Sequence, residues 1–216
     1  MAESRGFPRL IGVAGRKRSG KDSVGKILEE LGTRRAAFAD PLKRAAMDIY
    51  GLSLAQTYGT EAQKEQVDTR YGKSARQILQ LLGTEVGRHV YVDTWVRAVF
   101  EIDIRLYEQH RLVPVYNTSL KLWRFEEEPS SPPARVVRAP DWVITDARYQ
   151  NEVDEIHRRG GVVLRVTRPS IAGMDTHSSE TTVDALHGVD VEILNDGTLE
   201  DLRTRVLTSL ESRATW

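Results

Sequence analysis

Two periods of hydrophobic and polar residues alternate along the chain. Leu10-Ile11-Gly12-Val13-Ala14 is an unbroken apolar run ending in a glycine-bearing loop, the pattern of a buried central strand. Val24, Ile27, Leu28 and Leu31 come next at helical spacing, and Gly32 stands where such a helix stops. Ala36-Ala37-Phe38-Ala39 reads as a second strand. Asp40-Pro41 then reads as an N-cap followed by proline at the first helical position, with Leu42, Ala45, Ala46 and Ile49 as the apolar stripe and Gly51 as the end. From Leu52 to Lys73 the chain is polar and weakly periodic, and no element is assigned there.

Ser74 with Gln77 has the form of a capping box ahead of a helix through Ile78, Leu79, Leu81, Leu82 and Val86. Another helix is expected from Thr94 through Phe100. Leu112–Ala139 changes character, mixing β-formers (Val113, Val115, Tyr116, Leu122, Trp123) with an acidic triplet and the Pro129–Pro133 cluster, and is read as an insertion carrying a β-hairpin. Regularity returns with a strand at Trp142–Thr145, a helix through Val153 and Ile156 closed by Gly160-Gly161, and strands at Val162–Val166 and Val191–Leu194. A final helix is capped by Thr198 and Asp201. Such alternation predicts an α/β fold, a mostly parallel sheet flanked by helices on both faces, in one domain spanning 1–216.

Composition narrows the class. Hydrophobic residues at 40% and charged residues at 29% suit an ordinary globular core. Lysine plus arginine (31) balances aspartate plus glutamate (31), which argues against a nucleic-acid binder held by bulk charge. Cysteine is absent, which removes disulfides, thiolate catalysis and cysteine-ligated zinc from consideration. Met1–Arg9 offers no apolar stretch for a signal peptide and no run reaches membrane-spanning length, so the expectation is a soluble cytoplasmic protein with no membrane partner.

Candidate chemistry begins at Gly15-Arg16-Lys17-Arg18-Ser19-Gly20-Lys21-Asp22-Ser23. Two glycines and a lysine stand at phosphate-loop spacing, directly after an apolar strand and before an amphipathic helix. Glycine lets successive backbone N–H groups converge on phosphate oxygens at the positive end of the helix, and Lys21 reaches the β- and γ-phosphates as a point charge. A glycine turn with a solvated basic face is the plainer alternative, and the strand–loop–helix context weighs against it. Asp22 stands where serine or threonine is usual, so magnesium is to be met either by the Ser23 hydroxyl or by Asp22 through water.

A second candidate is the strand ending in Asp146-Ala147-Arg148, which places a carboxylate near a metal at the carboxyl edge of a sheet. Lys43, Arg70, Arg76 and Arg88 are candidate clamps for a monophosphate, though each taken singly is more often a solvated charge. The five histidines have no metal-ligand spacing, and Ser178 and Ser179 beside His177 lack a nucleophile elbow.

Several segments in order resemble the bacteriophage deoxynucleoside monophosphate kinase family. They are Lys17–Ser23, Ala39–Lys43, Leu82–Glu85, Trp95–Arg97, Asp146–Arg148, Val166–Pro169, Asp175–His177 and Asn195–Glu200. Asp22, odd for a general phosphate loop, is expected in this family. The resemblance implies a three-layer P-loop kinase fold that transfers the γ-phosphate of ATP, with magnesium, to a deoxynucleoside monophosphate. It implies that Arg18, Lys21, Asp146 and Arg148 carry the transfer, and that Gly15 to Ser23, Arg168 and Asn195 hold ATP. By the same likeness Ser23, Asp22 and Asp146 hold the metal, and Leu42, Lys43, Arg70, Arg76, Gly83, Thr84, Trp95, Asp146, Arg148 and Glu152 surround the deoxynucleotide. A homodimer is expected by family likeness alone. Leu112–Ala139 does not match the family pattern and Leu52–Arg70 matches it loosely. Two other readings stay open: another small-molecule P-loop kinase, such as a dephospho-coenzyme A kinase, and a nucleotide-switched binding protein, although no Asn-Lys-x-Asp guanine signature occurs.

Overall fold

The first apolar run becomes β1 (Leu10–Ala14), buried along its whole length, in a computed structural model that describes residues 7–128, 139–169 and 182–213. The chain divides into two compact units, residues 1–37 with 131–216 and residues 38–130. In the first unit β1 leads to α1 (Lys21–Glu29) and β2 (Arg34–Ala36). This second strand lies two residues ahead of the expected Ala36–Ala39. It forms an edge of its sheet, where charged Arg34 and Arg35 are tolerated, while Ala37 and Phe38 are buried beyond its end.

The second unit opens with α2 (Ala39–Tyr50), which starts before the expected Asp40 cap: Phe38 is the boundary residue, and Asp40 and Pro41 lie in the first turn. Phe38 meets Phe100 edge-on, ring centroids 6.0 Å apart, and this contact sets the chain's entry into the helix. The polar stretch Leu52–Lys73, where no element is expected from periodicity, holds α3 (Leu54–Tyr58), α4 (Glu61–Glu65) and a small antiparallel pair, β3 (Val67–Asp68) with β4 (Lys73–Ser74). Reciprocal capping boxes start both helices, Ser53 with Gln56 and Thr60 with Gln63.

The expected Ser74–Gln77 box starts α5 (Ala75–Gln80), which runs on as a π-helical segment, Leu81–Arg88. The helix expected over Thr94–Phe100 is longer: α6 (Thr94–Arg97), a second π-helical segment (Ala98–Ile104) and α7 (Arg105–His110). The expected hairpin is formed by antiparallel β5 (Leu112–Asn117) and β6 (Leu122–Glu127), with Tyr116 opposite Trp123. Those two aromatics pack on a core of Ala46, Met47, Leu52, Ala75, Ile78 and Leu82. The Pro129–Pro133 cluster lies outside the described residues.

The chain returns to the first unit with β7 (Trp142–Ala147), α8 (Gln150–Arg158), β8 (Val162–Thr167), β9 (Val191–Leu194) and α9 (Leu199–Arg213). Its five strands pair in parallel in the order β2-β7-β1-β8-β9. Ile11 and Val13 face a core shared with Val24, Ile27 and Leu28 of α1 and Leu202, Val206 and Leu210 of α9. Gly12, on the opposite face, points toward Ile156 of α8, so helices cover both faces. The Thr198–Asp201 cap is present, with the Thr198 N–H donating to the carboxylate at 2.8 Å and the Asp201 N–H to the Thr198 hydroxyl at 3.2 Å. Central β1 fixes where its carboxyl-end loop emerges, because Ala14 registers with Ala147 on one side and Arg165 on the other. Among the described residues no helix is long and apolar enough to cross a membrane.

Candidate functional site

The loop leaving β1 turns in a way that only a few residues allow. Gly15 has φ +148° and Gly20 φ +111°, both in the region that favours glycine. A Cβ on Gly15 would fall 2.5 Å from the Val166 carbonyl oxygen, and one on Gly20 would fall 2.4 Å from Nδ2 of Asn195. Arg18 takes φ +65° without being glycine, at a cost of about 1–2 kcal/mol. Such strain in a loop points to a constraint other than packing.

Three braces hold the turn. The Ser19 N–H donates to the Arg16 carbonyl at 3.1 Å, Lys21 Nζ donates to the carbonyls of Gly15 and Arg16, both at 2.7 Å, and Asn195 Nδ2 donates to the Ser19 carbonyl at 2.8 Å. The Ser19 hydroxyl is buried without a hydrogen-bond partner. Helix α1 begins at Lys21, so the loop closes on a helix N-terminus, where free N–H groups and the positive end of the dipole favour an anion.

Beside the loop, the Arg35 guanidinium pairs with Asp22 and donates through Nε to the Thr145 hydroxyl at 3.1 Å. Sequence patterns do not single out Arg35; its one signal is the carboxylate at position 22, which calls for a counter-charge. At the carboxyl end of β7, Asp146 is half-buried. The side chain of Glu152, 2% exposed, accepts the backbone N–H groups of Arg148 at 2.7 Å and Tyr149 at 3.1 Å. Glu152 thus shapes the Ala147–Gln150 turn that carries Arg148.

An open cleft of about 290 Å³ adjoins the loop, lined among others by Gly15, Arg16, Ser19, Arg165 and Arg168. Arg16 crosses its wall to Asp184, with Nε 3.1 and 3.2 Å from the two carboxylate oxygens. That hydrogen bonding holds the Asp184 carboxyl below its usual range against the opposing effect of burial. Asp175–His177, with Ser178 and Ser179, lies outside the described residues.

In the second unit the candidate acceptor residues fall into two kinds. Leu42, Gly83 and Trp95 come together: a Cβ on Gly83 would stand 3.0 Å from Leu42 Cδ2, and Trp95 Nε1 donates to the Gly83 carbonyl at 2.9 Å. Thr84 comes next in the same π-helical segment, and the indole lies against Gly87, where a Cβ would fall 2.4 Å from the ring. The cations Lys43, Arg70 and Arg76 are instead held by acid. Lys43 Nζ is 3.5 Å from Asp40 and 4.4 Å from the centre of the Tyr58 ring, and burial, more than the nearby Asp40, pushes the Tyr58 hydroxyl pKa up. Arg70 grips Asp68 at 2.6 and 2.9 Å and also bonds the Gly51 carbonyl. The Asp68 carboxyl is held well below the usual carboxylate range by the Arg70 side chain, then by Gln56. Arg76 is clamped between Glu61, at 2.7 Å, and Glu65. Arg88 donates to the Val92 carbonyl at 3.4 Å.

The sequence is similar to those of known proteins. A family model described as deoxynucleotide monophosphate kinase matches residues 135–206. A provisionally named deoxynucleotide monophosphate kinase of Acanthamoeba polyphaga mimivirus is 33% identical over 205 residues, covering 94% of this chain and 96% of the viral protein. The deoxynucleotide monophosphate kinase of Enterobacteria phage T4 is 33% identical over 70 residues, 32% of this chain and 29% of the phage protein. Among solved structures, a dephospho-CoA kinase from Campylobacter jejuni aligns over 96% of this chain and 98% of its own, with 14% identity and a TM-score of 0.44. The end-to-end match at one-third identity shows that this chain belongs to the deoxynucleotide monophosphate kinase family.

Proposed function

We propose that this chain is an ATP-dependent kinase that moves the γ-phosphate of ATP to a deoxynucleoside monophosphate, giving the deoxynucleoside diphosphate and ADP. The observation that carries the reading is the braced loop between β1 and α1. It combines Gly15 and Gly20 at positive φ, the Lys21 ammonium drawn back over the loop, and a buried Ser19 hydroxyl with no partner. Family membership supports the acceptor class.

The attacking atom is an acceptor phosphate oxygen, which is anionic near neutral pH, so no general base is required. The residues then act by positioning and by countering charge as it shifts toward the leaving ADP. Lys21 and Arg18 are assigned to the ATP phosphates, and Asn195 holds the loop in shape through Ser19. Asp146 and Arg148 are the acceptor-end residues assigned in the first unit, with Glu152 fixing the turn of Arg148. Leu42, Lys43, Arg70, Arg76, Gly83, Thr84 and Trp95 are those assigned in the second. Ser23, Asp22 and Asp146 offer hard oxygen donors only, a set that fits magnesium, which takes one or two protein oxygens with substrate phosphates and water. When bound, magnesium supplies charge neutralisation across the β- and γ-phosphates.

The test is ADP release with ATP and magnesium against a panel of deoxy- and ribonucleoside monophosphates and dephospho-coenzyme A. Turnover with one or more deoxynucleotides, and little with their ribose counterparts, is the expected result. Silence across the nucleotides removes the acceptor class while leaving the loop as an ATP site, and a signal from dephospho-coenzyme A alone names a different acceptor.

A further inference from the structure

Asp22 poses a problem for any polyphosphate that uses the loop. It stands next to Lys21 in the first turn of α1, where a helix attracts anions, and its carboxylate repels the ligand that the helix end would bind. The structure assigns the answer to Arg35: this side chain is a positioning residue that neutralises Asp22 and so keeps the helix N-terminus available to ATP. The inference rests on the reading of the loop as the ATP phosphate site.

Arg35 reaches Asp22 from the edge strand β2 and is fixed in two directions. One nitrogen of its fork pairs with Asp22 Oδ1, while Nε donates to the hydroxyl of Thr145, a residue only 3% exposed. Thr145 immediately precedes Asp146, so one guanidinium ties the residue after the loop lysine to the residue before the candidate metal carboxylate. The planar fork reaches both partners at once, while neutralising Asp22 needs only the positive charge.

The helix makes room for the arrangement. A Cβ on Gly25 of α1 would fall 2.7 Å from Thr145 Cγ2 and 3.6 Å from Arg35 Nε, so the glycine admits the two side chains at the expense of helix propensity. Close packing of α1 on β7 accounts for the glycine, but the Asp22–Arg35 ion pair itself adds little to the stability of the fold. Asp22 is 80% exposed, and exposed ion pairs contribute little to folding. A charge effect on a bound anion gives the pair a purpose, because the repulsion between Asp22 and a polyphosphate acts only when the ligand arrives.

The test is a double-mutant cycle read by calorimetric titration of ATP in magnesium-free buffer, so that any role of Asp22 toward the ion does not enter. Arg35→Gln, which keeps a side-chain N–H for Thr145 and removes the charge, is expected to weaken ATP binding roughly five- to tenfold, on the scale of one screened charge. Made on top of Asp22→Asn, the same Arg35→Gln is expected to change affinity less than about twofold, since the charge to be neutralised has gone. A role for Arg35 confined to holding α1 against β7 predicts the same loss in both backgrounds, and that result overturns the inference. ATP binding unchanged by Arg35→Gln in the wild-type background also overturns it. Should Arg35→Gln fail to fold, Arg35→Lys keeps the charge and is expected to hold affinity within about twofold; a loss of five- to tenfold there overturns the inference. A wild-type protein that binds no ATP removes the loop reading itself, and this inference with it.

Discussion

On the proposed reading, the loop between β1 and α1 in the first unit and the cations of the second have the same task, holding anionic groups, with different materials. In the loop the main chain is shaped by three positive φ angles and by donors that include the Ser19 N–H, the Asn195 amide and the Lys21 ammonium. Its lysine bonds carbonyl oxygens, neutral partners that a ligand can displace. In the second unit the candidate contacts are long side chains already satisfied by carboxylates: Lys43 by Asp40, Arg70 by Asp68, Arg76 by Glu61 and Glu65. A phosphate arriving there competes with internal anions. On that reading the donor end is preformed, and acceptor binding involves an exchange of ion-pair partners.

The contrast stands or falls first on Lys21→Ala. On the proposed reading, loss of the ammonium removes a positive counter-charge from beside the transferring phosphoryl group, and kcat is expected to fall by about a thousandfold in a coupled ADP assay. The circular dichroism spectrum should stay that of the wild type, because the freed Gly15 and Arg16 carbonyls remain part of a loop that Asn195 and the glycines still shape. Near-normal turnover in this variant removes Lys21 from the chemistry and the loop from its assigned role.

Arg76→Ala probes the other side. If Arg76 exchanges Glu61 and Glu65 for an acceptor phosphate, kcat/KM for the acceptor is expected to drop roughly ten- to a hundredfold, one to two steps of about 1.4 kcal/mol, with ATP affinity unchanged. Glu61→Gln should act in the opposite direction and lower the acceptor KM about two- to threefold, since it withdraws one competing charge from a half-exposed pair. A loss confined to ATP affinity in Arg76→Ala places the residue at the donor end. An unchanged KM in Glu61→Gln shows that its ion pair stays closed throughout the cycle.

The same contrast decides what could be read from the sequence. The loop, the parallel strands and the Ser74–Gln77 and Thr198–Asp201 caps were legible because each is written in consecutive or near-consecutive residues. The boxes Ser53–Gln56 and Thr60–Gln63 carry the same signature, yet they start helices of five residues each, too short for an apolar period to show. The π-helical segments were hidden because apolar residues at helical spacing do not distinguish α from π hydrogen bonding. Arg35 was out of reach for another reason: its partners are 13 and 110 residues away, and only the parallel pairing of β2 with β7 brings Arg35 near Thr145. The partners of Lys43 and Arg70 are local, but spacing alone does not choose between a solvated cation and a paired one, and Arg76 finds Glu61 15 residues away.

The smallest effect expected is an acid one, and it isolates a single brace of the second unit. Arg70 and Gln56 hold the Asp68 carboxyl well below the ordinary carboxylate range. A carboxylate with a depressed folded value stabilises the fold fully above its unfolded value, about 4. That stabilisation is lost as pH falls through the depressed folded value, because the unfolded chain takes up its proton first. Wild-type protein should therefore lose urea resistance more steeply between about pH 5 and 3 than Asp68→Asn does, with the variant less stable at neutral pH. Glu155, Asp184 and Asp201, other carboxylates held low by hydrogen bonds, are present in both proteins and lie in the first unit, so the difference between the two curves reports Asp68 alone. Parallel curves would mean that Arg70 grips Asp68 no better in the folded chain than water does. In that case Arg70 is free to meet a phosphate without giving up a partner, and the exchange argued for the second unit holds for Lys43 and Arg76 but not for Arg70.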